Sequence, residues 1–153
     1  MITIGLTGSI ATGKSTVLAQ FARLGAAVVD TDQIVHRLLA TNASIQKAIQ
    51  AEIGSCMHQG HIDRKMLGQL VFADSRKLTT LEAILHPAVR AYSEQFVRQA
   101  SLLGFKLAVI EIPLLFETNS QQRFDMVVTT HCSPWLMRRR ALARPNIDAR
   151  TLT

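Results

Sequence analysis

Apolar and polar residues follow two different rhythms along the chain. Ile2, Ile4 and Leu6 alternate with small or polar neighbours, which predicts a short strand, and Ala27-Val28-Val29 predicts a second one ending on Asp30. Between them, residues from Lys14 onward recur at helical spacing until Leu24-Gly25, where the glycine stops the helix. Thr31 or Asp32 is then placed to cap a helix over Gln33 to Leu39.

Residues 43–103 read as helical throughout and carry no strand signal, with stops at Gly54, Gly60 and around Asp74-Ser75. Asp63 is placed to cap a helix running toward Phe72. Farther on, Leu78, Leu81, Leu85, Val89, Tyr92, Phe96 and Leu103 form one stripe at a spacing near 3.6, and Pro87 is expected to kink or break it at His86. Lys106 to Ile112 and Asp125 to Thr130 read as two more strands, and Ser133 caps a basic helix running to Arg144. Strands alternating with helices predict an α/β fold, a parallel sheet covered on both faces with a core over 1–42 and 104–132. The helical insert 43–103 then stands over the carboxyl edge of that sheet, the edge at which such sheets bind ligands.

Composition narrows the class. Of 153 residues 48% are hydrophobic and 18% charged, which suits one globular domain with a real core and excludes a disordered chain. Apolar runs such as Leu107 to Ile112 fall far short of a membrane span, and the first residues carry no secretory pattern, so the expected setting is the cytoplasm. Cys56 and Cys132 are too far apart for a C-x-x-C arrangement and are read as thiols. Seventeen Lys and Arg against eleven Asp and Glu give a net charge of +6, favouring an anionic partner. The late arginines Arg138, Arg139, Arg140, Arg144 and Arg150 lack interleaved aromatics, which argues for phosphate handling over nucleic-acid binding.

The chemistry concentrates in Gly8-Ser9-Ile10-Ala11-Thr12-Gly13-Lys14-Ser15-Thr16, a phosphate-binding loop pattern between a strand and a helix. Its glycines let backbone N–H groups and the helix N-terminus face an anion. Lys14 reaches the β and γ oxygens of a nucleotide such as ATP, and Ser15 offers a hydroxyl to Mg²⁺. Asp30 and Asp32 close the second strand, where a carboxylate can take the proton of an attacking hydroxyl, and Asp32 is the stronger candidate. Glu111 ends the third strand, the position from which an acid holds Mg²⁺, often through water. Arg140 and Arg144 share a helix face and can close over transferring phosphates. Cys56, His58 and His61 match no standard zinc spacing.

Together these residues resemble the dephospho-CoA kinase family, over essentially the whole chain. The carriers are the loop Gly5 to Thr16, Asp30-Thr31-Asp32, and Gly60-His61-Ile62-Asp63-Arg64 with Leu67 and Val71-Phe72. Leu85-His86-Pro87 and Ile112-Pro113-Leu114-Leu115-Phe116-Glu117 are the most diagnostic strings. The resemblance implies a three-layer P-loop NTPase fold with a helical substrate lobe over 43–103, a lid over 133–150, and phosphorylation of the ribose 3'-hydroxyl of dephospho-CoA by ATP. On that basis Lys14, Asp32 and Arg140 are catalytic. Gly8, Ser9, Ala11, Thr12, Gly13, Lys14, Ser15, Thr16 and Arg144 hold ATP. Asp32, Asp63, Arg64, His86 and Glu117 bind the acceptor, and Ser15 and Glu111 serve the metal. No nucleic acid, membrane or obligate protein partner is expected.

The loop departs from the family in having Ser9, Ala11 and Thr12 where members usually show Gly-x-Gly-Ser. Members also continue for about another third of this length, so the resemblance assigns a fifth parallel strand, a further helix and part of the adenine pocket to that stretch. Another small-molecule kinase, or a nucleotide-binding module without turnover, remains open at this level.

Overall fold

The computed structural model describes residues 1–143. It falls into two compact units, one made of Met1–Asp30 together with the chain from Val97 onward, the other of Thr31–Phe96.

The first unit is built on a sheet of four strands among the described residues: β1 (Ile2–Gly8), β2 (Ala27–Asp30), β5 (Leu107–Glu111) and β6 (Met126–Thr130). They run parallel in the order β2-β5-β1-β6. The register pairs Ile4 with Val109 and Val28 with Val109, which puts Ile4, Leu6, Val28, Leu107, Val109 and Val128 on one face. Helix α1 (Lys14–Arg23) covers that face with Val17, Leu18 and Phe21, forming the core cluster with Ala26. Leu6 and Val109 are fully buried, each contributing on the order of 1.5–3 kcal/mol by leaving water. By the same parity Asp30, Glu111 and Thr130 end their strands on the α1 face, at the edge where α1 begins. On the opposite face Gly5 is needed for packing, because a Cβ there would lie 2.5 Å from Leu115 Cδ1 and 2.9 Å from Phe124 Cδ2.

The second unit holds α2 (Thr31–Thr41), α3 (Ala43–Glu52), a small hairpin of β3 (Met57–His58) and β4 (His61–Ile62), α4 (Arg64–Phe72) and most of α5 (Ser75–Leu102). Ile34, Leu38 and Leu39 of α2, Ile45 and Ile49 of α3, Ile53, Cys56, Ile62, Leu67 and Val71, and Leu85 of α5 are its buried apolar residues. Asn42 caps α3 by accepting from the Ile45 amide, and Asp63 caps α4 by accepting from Lys65 and Met66, as the sequence reading expects for Asp63.

Four expectations are corrected. The stretch 43–103 is not helical throughout, since β3 and β4 pair Met57 with Ile62 and His58 with His61. Gln59 and Gly60 both take positive φ in the two-residue turn, and strands of two residues are too short to show alternation in the sequence. Helix α2 begins at Thr31 itself, so Thr31 and Asp32 sit in its first turn instead of preceding it. Pro87 neither breaks α5 nor ends it. The acceptor that loses its amide partner there is the Ala83 carbonyl, and Ala83 and Pro87 are both exposed, on a side of the helix open to solvent. The apolar stripe of α5 holds from Leu81 to Phe96, but Leu78 and Leu103 at its ends are exposed. The basic helix, α6 (Pro134–Leu142), is capped by Ser133, and Arg144 lies outside the described residues.

Candidate functional site

The loop between β1 and α1 owes its shape to three residues with positive φ, Gly8 at 147°, Ala11 at 60° and Gly13 at 99°. Ala11 occupies the left-handed region that favours glycine, at a cost of about 1–2 kcal/mol. It is also 5% exposed, so its methyl packs against protein. Gly8 is tighter still, for a Cβ there would meet Thr130 Oγ1 at 2.3 Å and the Thr130 carbonyl oxygen at 2.6 Å.

Thr12 is recruited into the scaffold. Its hydroxyl stands 2.8 Å from the Ser9 carbonyl and 2.7 Å from Thr130 Oγ1. Thr7 Oγ1 donates to the Pro113 carbonyl at 3.2 Å, tying the end of β1 to the loop that follows β5. Sequence reasoning missed Thr7 and Thr130, for threonine in a strand carries no signal beyond β propensity.

Lys14 Nζ donates to the Gly8 carbonyl at 2.8 Å and the Ser9 carbonyl at 3.1 Å, so the ammonium sits across the mouth of the loop. Helix α1 starts behind Gly13 with no side-chain cap, whereas α3, α4 and α6 each have one. Its first amides, those of Lys14, Ser15 and Thr16, are therefore presented with the positive end of the helix dipole, the condition for holding a phosphate. Ser15 and Thr16 are exposed in this turn. Glu111 is 5% exposed at the end of β5, with Leu6 and Asp30 as register partners in the neighbouring strands. From α6, Arg140 reaches the same loop, with Nη1 3.9 Å from a Cβ built on Gly13. Arg139 instead stacks on Trp135, its guanidinium 5.4 Å from the ring centre. Among the described residues no three His, Cys, Asp or Glu side chains converge as a metal-ligand set.

The other expected residues lie in the second unit, apart from Glu117. Asp32 is exposed in the first turn of α2, and Asp63 is the half-buried cap of α4. Arg64, the first residue of α4, hydrogen-bonds through Nη1 to His36 Nε2. His86 is exposed on α5. Glu117 is exposed beside the turn in which the Thr118 hydroxyl donates to the Leu114 carbonyl at 2.7 Å. Cys56 is fully buried between α3 and the hairpin, and burial pushes its thiol above the ordinary range, with the Asp63 carboxylate adding to the effect.

Comparison with known proteins agrees with this geometry. A family model described as dephospho-CoA kinase matches residues 2–152. A protein of Paramagnetospirillum magneticum named dephospho-CoA kinase is 41% identical over 149 residues, 97% of this chain and 70% of the relative. One of Mesorhizobium japonicum with the same name is 41% identical over 152 residues, 99% of this chain and 76% of the relative. The crystal structure of a Thermus thermophilus protein superposes with a TM-score of 0.78 at 34% identity, covering 96% of this chain and 74% of that one. Dephospho-CoA kinase from Campylobacter jejuni shares the fold at 20% identity, with a TM-score of 0.64 over 90% of this chain and 92% of its own. With the strand–loop–helix cradle in place and a family match spanning nearly every residue, the chain belongs to the dephospho-CoA kinase family.

Proposed function

We propose that the chain transfers the γ-phosphoryl group of ATP to the ribose 3'-hydroxyl of dephospho-CoA, giving coenzyme A and ADP. The observation that carries the reading is the uncapped amide turn of α1 behind the Gly8–Lys14 loop, in a chain of this family. The loop amides and Lys14 hold the β and γ phosphates, and the Lys14 charge grows in value as negative charge spreads over the transferring group. For that, Lys14 exchanges its bonds to the Gly8 and Ser9 carbonyls for phosphate oxygens. Asp32 accepts the proton of the 3'-hydroxyl as its oxygen bonds to the γ phosphorus and the bond to the leaving ADP oxygen breaks. Arg140, already at the loop, neutralises charge on the transferring group, and Arg144 is assigned to the same lid.

Ser15 and Glu111 supply oxygen donors of the kind Mg²⁺ accepts and would hold the ion, whose positive charge would offset that of the phosphates. Asp63, Arg64, His86 and Glu117 are assigned to the acceptor. The domain reading keeps a core over 1–42 and 104–132 and a substrate lobe over 43–103. Among the described residues no helix is long and apolar enough to cross a membrane, and a cytoplasmic setting is in keeping with Cys56 and Cys132 as free thiols.

The test is mass-spectrometric detection of coenzyme A and ADP after incubating the chain with ATP, Mg²⁺ and dephospho-CoA. Lys14→Ala is expected to abolish turnover with the fold intact, and Asp32→Asn to lower the rate at least 100-fold with ATP affinity little changed. Full turnover by Lys14→Ala sinks the assignment.

A further inference from the structure

We propose that His36 is a positioning residue for the acceptor, holding the Arg64 guanidinium on the face of α2 that carries Asp32. The inference rests on the reading above, in which Asp32 and Arg64 serve the acceptor. All three residues belong to the same compact unit. Asp32 and His36 are four apart in α2 and therefore share a helix face. Arg64 approaches from α4, where its backbone is fixed on both sides. The Asp63 amide donates to the Cys56 carbonyl at 2.8 Å, and the Asp63 carboxylate accepts from the Lys65 and Met66 amides at 2.8 and 3.1 Å. The far end of α2 is tied to the same hairpin, with His61 Nδ1 3.1 Å from the Ala40 carbonyl, so the Arg64 to His36 contact joins two elements already held together.

The chemistry of the contact is one-directional. A guanidinium has no acceptor, so His36 Nε2 must offer its lone pair, which makes the imidazole neutral with its proton on Nδ1. A neutral partner orients Arg64 without cancelling its charge, as an aspartate or glutamate in the same place would. Among the described residues one of five guanidinium donors is used, and the rest of the fork keeps the geometry that grips paired phosphate oxygens. The anionic diphosphate of dephospho-CoA is the ligand of that kind which the proposed reaction brings in. His36 thus sets where the diphosphate docks relative to Asp32.

The experiment is steady-state kinetics of the chain with dephospho-CoA varied at saturating ATP, paired with calorimetric binding of dephospho-CoA, for His36→Ala, His36→Gln, Arg64→Ala and the double variant His36→Ala/Arg64→Ala. His36→Ala is expected to raise KM and Kd for dephospho-CoA about five- to tenfold, as loss of one orienting hydrogen bond does, with kcat and the KM for ATP within about twofold. His36→Gln, whose Oε1 can accept in place of Nε2, should recover most of the loss. Arg64→Ala should cost more, and the double variant no more than Arg64→Ala alone, because His36 acts through Arg64. Losses that multiply in the double variant, a glutamine no better than alanine, or an effect on kcat alone each overturn the proposal. A wild-type chain that neither binds nor converts dephospho-CoA overturns the reading of the reaction and this inference with it. Turnover with independent effects overturns the inference alone.

Discussion

Gly8→Ala tests the closest approach in the phosphate loop. Gly8 has φ of 147°, a region costing an L residue about 1–3 kcal/mol. Its new Cβ would also lie 2.3 Å from Thr130 Oγ1, 2.6 Å from the Thr130 carbonyl oxygen and 3.0 Å from Thr12 Oγ1. The hydroxyls can rotate away, but the carbonyl belongs to the β6 backbone paired with β1, so the strands must shift. Forcing atoms into a packed site costs a further 1–3 kcal/mol or so, for a total of about 2–6 kcal/mol. That is a large share of the roughly 5–15 kcal/mol that holds a domain folded. Gly104→Ala separates the two contributions, because Gly104 has φ of 85° and nothing within 4 Å of its Cβ position. It should cost only the left-handed penalty, about 1–2 kcal/mol. The assay is urea unfolding read as a change in midpoint at constant slope, with ATP binding measured by calorimetry. Adding Thr130→Ala to Gly8→Ala should recover little stability, since the carbonyl contact stays. Gly8→Ala no more destabilised than Gly104→Ala, or binding ATP as the wild type does, refutes the reasoning.

Two further outcomes follow from the titrating groups. Asp125 accepts from the Thr3 hydroxyl at 2.7 Å and the Thr3 amide at 2.8 Å, bonds that, the hydroxyl first, hold its carboxyl below the ordinary range. The stability it contributes is complete above the unfolded pKa of about 3.9 and is lost as pH falls through the lower folded value. Asp125→Asn should therefore differ from wild type in urea midpoint above about pH 4 and converge with it in stronger acid, and an equal gap at pH 3 and pH 7 contradicts this. Cys56, buried with its thiol pushed upward, should react with a disulfide reagent only on unfolding, while half-exposed Cys132 reacts in the native protein. Two equally fast thiols in the native chain would show that the site around Cys56 is open.

How much of this was legible in the sequence depends on the range of the signal. The strand of Ile2, Ile4 and Leu6, the loop Gly8 to Lys14, the cap at Asp63 and the cap at Ser133 are local patterns, and the structure has each in place. The hairpin at Gln59-Gly60 was missed because two-residue strands leave no alternation to read, although a glycine between two short extended pairs was the available cue. Pro87 does not break α5, as one of the two outcomes read from the backbone would have it, for the helix runs through a proline that lies on its exposed side.

What the sequence by itself determined is therefore the alternation of elements, the phosphate loop with Lys14 and the family, since each rests on residue types at fixed spacing. Strand order, and with it the meeting of Gly8 with Thr130 and of Glu111 with Asp30, was decided only in the tertiary structure. So was the contact of Arg64 with His36, 28 residues apart. These pairs are long-range, and no local preference encodes which strand or helix a residue will face. Burial of the apolar faces selects one arrangement, and the polar contacts are those it permits.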